Sequence, residues 1–213
     1  MEFGREGRAG VLGRQKAAVM AFDHILHVDG GSYGILQGDD TVVFIKKGLG
    51  GSLTGSADKY QRVSCRLHQT YGCSVIVASN PDDGREHTER DRQVIEQYVC
   101  ENRISTPRLL LFGNSNGCIK GLALAQAGVL FERMVLVNMP LMINFHKTKQ
   151  HLATLTQTEI VAVYGQRDPS FSYIPFLEGK APHLRVLQIP DADHNFSGMT
   201  QAFLELGDLL MAT

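Results

Sequence analysis

Residues 109–125 read Leu109-Leu110-Leu111-Phe112-Gly113-Asn114-Ser115-Asn116-Gly117-Cys118-Ile119-Lys120-Gly121-Leu122-Ala123-Leu124-Ala125. An apolar run of strand character leads directly into a serine with glycine at both second neighbours. A helix-like stretch of small and aliphatic residues follows at once. A serine on such a strand-to-helix turn presents its hydroxyl at the edge of a sheet. The reason is crowding. The serine backbone is strained, and a side chain at either glycine position would collide with the neighbouring strand or helix. The pentapeptide alone is modest evidence, since roughly 0.1 chance matches are expected in a chain of this composition. Its surroundings carry the weight.

On either side of this turn, apolar runs alternate with amphipathic segments. Thr41-Val42-Val43-Phe44-Ile45, Cys73-Ser74-Val75-Ile76-Val77-Ala78 and Met134-Val135-Leu136-Val137 have the composition of strands buried on both faces. Ile160-Val161-Ala162-Val163-Tyr164 and Leu184-Arg185-Val186-Leu187-Gln188-Ile189 repeat it. Tyr60, Val63, Leu67 and Tyr71 mark one helical face; Val94, Ile95, Tyr98 and Val99 mark a second; Phe203, Leu206, Leu209 and Leu210 mark a third. Residues 24–28 and 31–37 form an opening hairpin about the turn pair Asp29-Gly30. The alternation predicts an α/β fold: a mostly parallel central sheet with helices on both faces and right-handed crossovers. Ligands bind such sheets beyond the carboxyl ends of the strands. The loops after the apolar runs are therefore where function is sought.

The chain has 213 residues, enough for one well-buried α/β domain and short for two. A net charge of −1 gives no overall attraction to nucleic acid or to an anionic membrane. No apolar run approaches the length of a membrane span. Cys65, Cys73, Cys100 and Cys118 lack metal-type spacing and read as reduced, packed thiols of a cytoplasmic protein. Residues 1–20 are small and charged, without the apolar core of a secretory signal, and are expected to be a flexible extension of a single domain over 21–213. No residue pattern calls for a metal or a cofactor, and the oligomeric state is left open.

The loops after the strands contain a set suited to acyl transfer. Lys46-Lys47-Gly48-Leu49-Gly50-Gly51 follows the first long run, Gly165-Gln166-Arg167-Asp168-Pro169 follows residues 160–164, and Asp191-Ala192-Asp193-His194-Asn195 follows residues 184–189. From about His24 to Leu210 the chain resembles the α/β-hydrolase superfamily, on four features. These are the G-x-S-x-G turn, the Gly165-to-Asp168 turn, the Asp193-His194 pair and the glycine-rich loop, in the order serine, aspartate, histidine. The resemblance implies Ser115 as nucleophile, His194 as general base and then acid, and Asp168 as the carboxylate that orients it. It also implies an oxyanion hole from the backbone N–H groups of Asn116 and Leu49, with Gly48 beside the substrate. A histidine often precedes the loop glycine in this superfamily, where this chain has Lys47.

Ser115 as a helix cap and Asp168 as a turn former are the ordinary alternatives. Asp193 and Asp191 are rival carboxylates, whereas Asn138, after residues 134–137, is an amide and cannot serve as the acid. Only about twenty residues separate the run at 134–137 from Ile160, too few for a lid domain. Met139, Leu141, Met142 and Phe145 in that connection are expected to form a modest apolar wall, with Met139 and Met142 touching an acyl group at an open, shallow site. His87 and the remaining histidines read as surface residues, and Arg85 and Arg90 as parts of a solvated loop. The expectation is a serine hydrolase acting on a small-molecule ester or related acyl bond. The rivals are a non-catalytic binding protein of the same fold, and a triad enzyme of another reaction, such as a thioesterase, a perhydrolase or a carbon–carbon hydrolase.

Overall fold

The opening hairpin forms as expected. β1 (His24–Val28) pairs antiparallel with β2 (Gly31–Leu36), and Asp29 and Gly30 both take positive φ, 43° and 76°, as a two-residue turn of this hand requires. The computed structural model describes residues 21–177 and 183–212; the expected extension over 1–20 lies outside the described residues. β2 joins the main sheet antiparallel to β4 (Cys73–Ala78). The other strands are β3 (Asp39–Lys46), β5 (Arg108–Asn114), β6 (Arg133–Val137), β7 (Glu159–Gly165) and β8 (Leu184–Ile189). All run parallel to their neighbours, in the order β1-β2-β4-β3-β5-β6-β7-β8.

Alternation along the strands divides the core between two faces. In β5, Leu110 and Phe112 face one way, with Val63 and Leu67 of α1 (Lys59–Tyr71), Phe203 of α5 (Thr200–Glu205) and Leu210 of the 3₁₀ turn after it. Leu111 faces the other way. There it packs with Val94 and Ile95 of α2 (Thr88–Glu101), Leu122 of α3 (Asn116–Gln126) and Leu152 of α4 (Leu141–Thr154). Each side chain of this kind, fully withdrawn from water, contributes about 1.5–3 kcal/mol. Tyr71, expected on the buried face of α1, lies in its last turn and is 39% exposed. The connection from β6 to β7 is the single helix α4, so no cap domain is inserted there.

Register brings the loops together. Lys46 of β3 pairs with Gly113 of β5, Asn114 pairs with Val137 of β6, Val137 with Val163 of β7, and Gly165 with Ile189 of β8. The chain therefore leaves four adjacent parallel strands at one rim. These exits carry the glycine-rich loop, Ser115, Asn138 and the Asp168 turn.

Candidate active site

Ser115 has φ 54° and ψ −125°, a sparsely populated conformation for a residue with a side chain. Close packing holds it there. A Cβ placed on Gly117 would lie 2.1 Å from the Lys46 carbonyl oxygen, and one on Gly113 would lie 3.0 Å from the Cys118 Cα. The Ser115 N–H donates to the Val137 carbonyl at 2.8 Å, which ties the turn to the end of β6.

Three side chains from separate strand ends meet at this rim. His194 Nε2 lies 2.9 Å from Ser115 Oγ, and its Nδ1 lies 2.5 Å from Asp168 Oδ2. With Nδ1–H donating to a carboxylate, Nε2 is left to accept the serine proton. The Asp168 carboxylate is fully enclosed, and its Oδ1 accepts the Ser170 N–H at 2.7 Å. The His194 ring is 37% exposed, so the site opens to solvent on the imidazole side. The rival carboxylates are committed elsewhere. Asp191 pairs with Arg167 at 2.5 Å, and Asp193 Oδ1 accepts the Asn195 and Ser197 N–H groups at 3.0 and 2.9 Å.

The glycine-rich loop lies over the serine. A Cβ on Gly48 would sit in van der Waals contact with the serine, 3.4 Å from the Ser115 Cβ and 3.7 Å from its Oγ, so the loop closes directly over the hydroxyl. Asn80 holds the loop: its backbone carbonyl accepts the Gly50 N–H at 2.7 Å, and its amide nitrogen donates to the Lys47 carbonyl at 2.8 Å and to Asn116 Oδ1 at 3.1 Å. Tyr60 braces it from below, its hydroxyl donating to Asn114 Oδ1 at 2.6 Å while burial raises its pKa and the Gly48 amide lowers it. Leu49, 54% exposed, and Asn116 line an open depression of about 300 Å³ together with Arg85 and Lys120. Among the described residues, the Leu49 N–H donates to no backbone acceptor. The Asn116 N–H opens α3, where a helix has no internal acceptor for it.

Several residues stand apart from their sequence reading. Met139 has no exposed surface and packs within the core, so it offers nothing for a substrate to touch. Met142 is 56% exposed on the first turn of α4. Phe145 packs against Tyr173 and Phe176. His87 is buried and bonded to Asp83 at 2.7 Å rather than lying on the surface. Arg90 is also buried, its Nε donating to the Tyr33 hydroxyl at 2.8 Å and its Nη1 to the Asp29 carbonyl at 3.0 Å. Of the four cysteines, which form no disulfide among the described residues, Cys100 is exposed rather than packed.

Three polar residues matter more than their sequence context suggested. Asn138, fully buried at φ 48°, donates to the Asp193 and His194 carbonyls at 3.2 and 2.9 Å and accepts the Gly165 N–H at 2.9 Å. One amide thus ties the histidine loop to the turn that carries Asp168. Lys46 is buried in an ion pair with Asp91 at 2.5 Å, and Asp91 also accepts the Tyr33 hydroxyl. Lys47 is fully buried under the loop. Among the described residues its ammonium nitrogen has no hydrogen-bond partner, and it lies 5.6 Å from the centre of the Tyr60 ring. Burial, and then the charge of Lys46, push its pKa down to about 7. Paired lysines directly after a strand buried on both faces were the available signal, because such a position has little access to water.

With this topology and this rim, the chain has the α/β-hydrolase fold. No protein-family model matches it, and no curated protein matches its sequence. Among solved structures it is similar to Est1E from Butyrivibrio proteoclasticus, at 12% identity and a TM-score of 0.64, covering 89% of this chain and 99% of that one. It is also similar to an α/β serine hydrolase without a lid from Xanthomonas campestris, at 17% identity and a TM-score of 0.63, covering 89% and 96%. The thioesterase domain from the curacin biosynthetic pathway is similar at 12% identity and a TM-score of 0.66, covering 91% and 100%. Among the described residues, no helix is long and apolar enough to cross a membrane.

Proposed function

We propose that this chain is a serine hydrolase that cleaves an ester or related acyl bond of a small molecule through an acyl-enzyme on Ser115. The observation that carries the proposal is the unbroken relay from Ser115 Oγ through the His194 ring to Asp168, at 2.9 and 2.5 Å. A free serine hydroxyl is a poor nucleophile. In this reading His194 Nε2 takes its proton as the oxygen attacks the carbonyl carbon, and Asp168 stabilises the imidazolium that forms. The carbonyl oxygen, now negative, is received by the N–H groups of Asn116 and Leu49. Each such donor lowers the barrier by about 3 kcal/mol. Collapse expels the leaving group, which takes the proton from His194. Water activated by the same imidazole then releases the acid and regenerates the serine.

A non-catalytic binding protein would need no such relay, and among the described residues the enclosed Asp168 carboxylate has no other side-chain partner. The β6–β7 connection is one short helix, which favours short or exposed acyl groups over long buried chains. The decisive experiment is labelling by a fluorophosphonate probe. Wild type is expected to label, and a folded Ser115→Ala protein to lose both labelling and turnover. Undiminished labelling of that variant would remove the assignment. A panel of p-nitrophenyl esters of rising chain length, with a thioester and an amide, then separates ester from thioester hydrolysis.

A further inference from the structure

A depression of about 360 Å³ adjoins the histidine loop and is lined in part by Lys59, Asn195, Ser197, Thr200 and Phe203. Its lining contains one charged side chain, Lys59, and no carboxylate. The Lys59 ammonium lies 4.7 Å from the centre of the Phe203 ring and 5.2 Å from that of Tyr60. Among the described residues it makes no ion pair. Burial lowers its pKa, and the Asp193 carboxylate only partly offsets this. Asp193 is already engaged by the Asn195 and Ser197 N–H groups. Lys59 is therefore a half-desolvated cation resting on aromatic faces, which supply about 0.5–2 kcal/mol but no counter-charge. The walls around it add hydroxyl and amide donors.

The position of the depression gives it a use. Asn195 and Phe196 directly follow His194, so the depression borders the loop that carries the imidazole. In acyl transfer the imidazole gives its proton to the departing group, and that group must leave on the same side. We propose that this depression is a leaving-group subsite, and that the substrate is an ester whose alcohol portion carries a carboxylate or phosphate held by Lys59. This rests on the serine-hydrolase reading above. Binding such an anion returns to Lys59 the partner that burial removed, and the surrounding donors take its remaining oxygens.

The test compares 4-acetoxybenzoate, 4-acetoxyphenyl phosphate and the neutral 4-acetoxybenzamide at low ionic strength. In wild type the kcat/KM ratio of the better anionic ester to the amide is expected to be at least about ten-fold higher than in Lys59→Gln, and Lys59→Arg is expected to restore it. Comparing ratios between variants cancels the intrinsic difference between the leaving groups. Whichever anion shows the larger drop identifies the ligand. A ratio unchanged by Lys59→Gln would overturn the proposal. A second arm needs no turnover: calorimetric binding of 4-hydroxybenzoate to Ser115→Ala, with and without Lys59→Gln. Binding weakened about ten-fold by the second substitution supports the subsite even if no ester is hydrolysed, in which case only the hydrolase reading fails. Equal binding in a protein that does hydrolyse esters removes the subsite and leaves the hydrolase.

Discussion

Lys47→Met should stabilise this protein, and more at pH 6 than at pH 9. The Lys47 side chain is fully buried, its ammonium nitrogen has no hydrogen-bond partner among the described residues, and its pKa falls from the ordinary 10.5 to about 7. A base whose pKa is lowered by folding binds more protons in the unfolded chain between those two values. Stability therefore rises with pH across that window, and below pH 7 the whole cost of enclosing the cation is felt. At about 1.4 kcal/mol for each pH unit of separation, that cost is about 5 kcal/mol at pH 6 and about 2 kcal/mol at pH 9. Methionine keeps most of the volume, and it removes the titration. The stability gap between variant and wild type should then shrink by about 3 kcal/mol from pH 6 to pH 9, whatever constant offset repacking adds. Urea melts of both proteins at four pH values would show it as a relative shift of about 1 M in midpoint. A gap that stays constant across this range would refute the reasoning. It would mean that the ammonium finds water or a counter-ion in the folded state.

Three further outcomes follow from the same geometry. Asp168→Asn keeps the shape of the side chain but no longer fixes the His194 tautomer; kcat should fall by about 10⁴-fold, and a near-normal rate would hand the role to Asp191 or Asp193. Asn138→Ala removes three hydrogen bonds, one buried and two partly buried, and leaves the Gly165 N–H without its Asn138 acceptor. It should cost about 2–3 kcal/mol in a denaturant melt and lower kcat, because the histidine loop loses its tie to the acid turn. Gly117→Ala places a methyl 2.1 Å from the Lys46 carbonyl oxygen, where backbone must move. A loss of at least about 3 kcal/mol, or a fall in Tm of about 10 °C, is expected, and a melt like that of wild type would show that the turn has more room than its geometry indicates.

The sequence by itself determined what depends on neighbours in the chain. Apolar runs at 41–45, 73–78, 109–112, 134–137 and 160–164 became β3 to β7, because a strand enclosed on both faces has to be apolar throughout, whereas residues 184–189, expected to be enclosed in the same way, became the edge strand β8 with Arg185 and Gln188 exposed. The serine turn was legible because the two glycines it needs lie two residues either side. Asp168 and His194 were legible as candidates because each lies in a loop after its own strand. Tertiary structure decided which distant groups meet. Strand order and register place β3 beside β5, so Gly48 closes on Ser115, and they place β6 beside β7, so Asn138 reaches both the acid turn and the histidine loop. Lys46, Lys47, His87 and Arg90 carry the composition of a surface, yet each is buried, since burial of a polar group depends on what other elements bring to it. Met139 and Met142 lie three residues apart and end in opposite environments, because Met139 precedes α4 and packs in the core, whereas Met142 lies in the first turn of the helix on its exposed side. Local pattern encodes the identity of an element. Partners across the sheet are set by pairing, which no single stretch of chain contains.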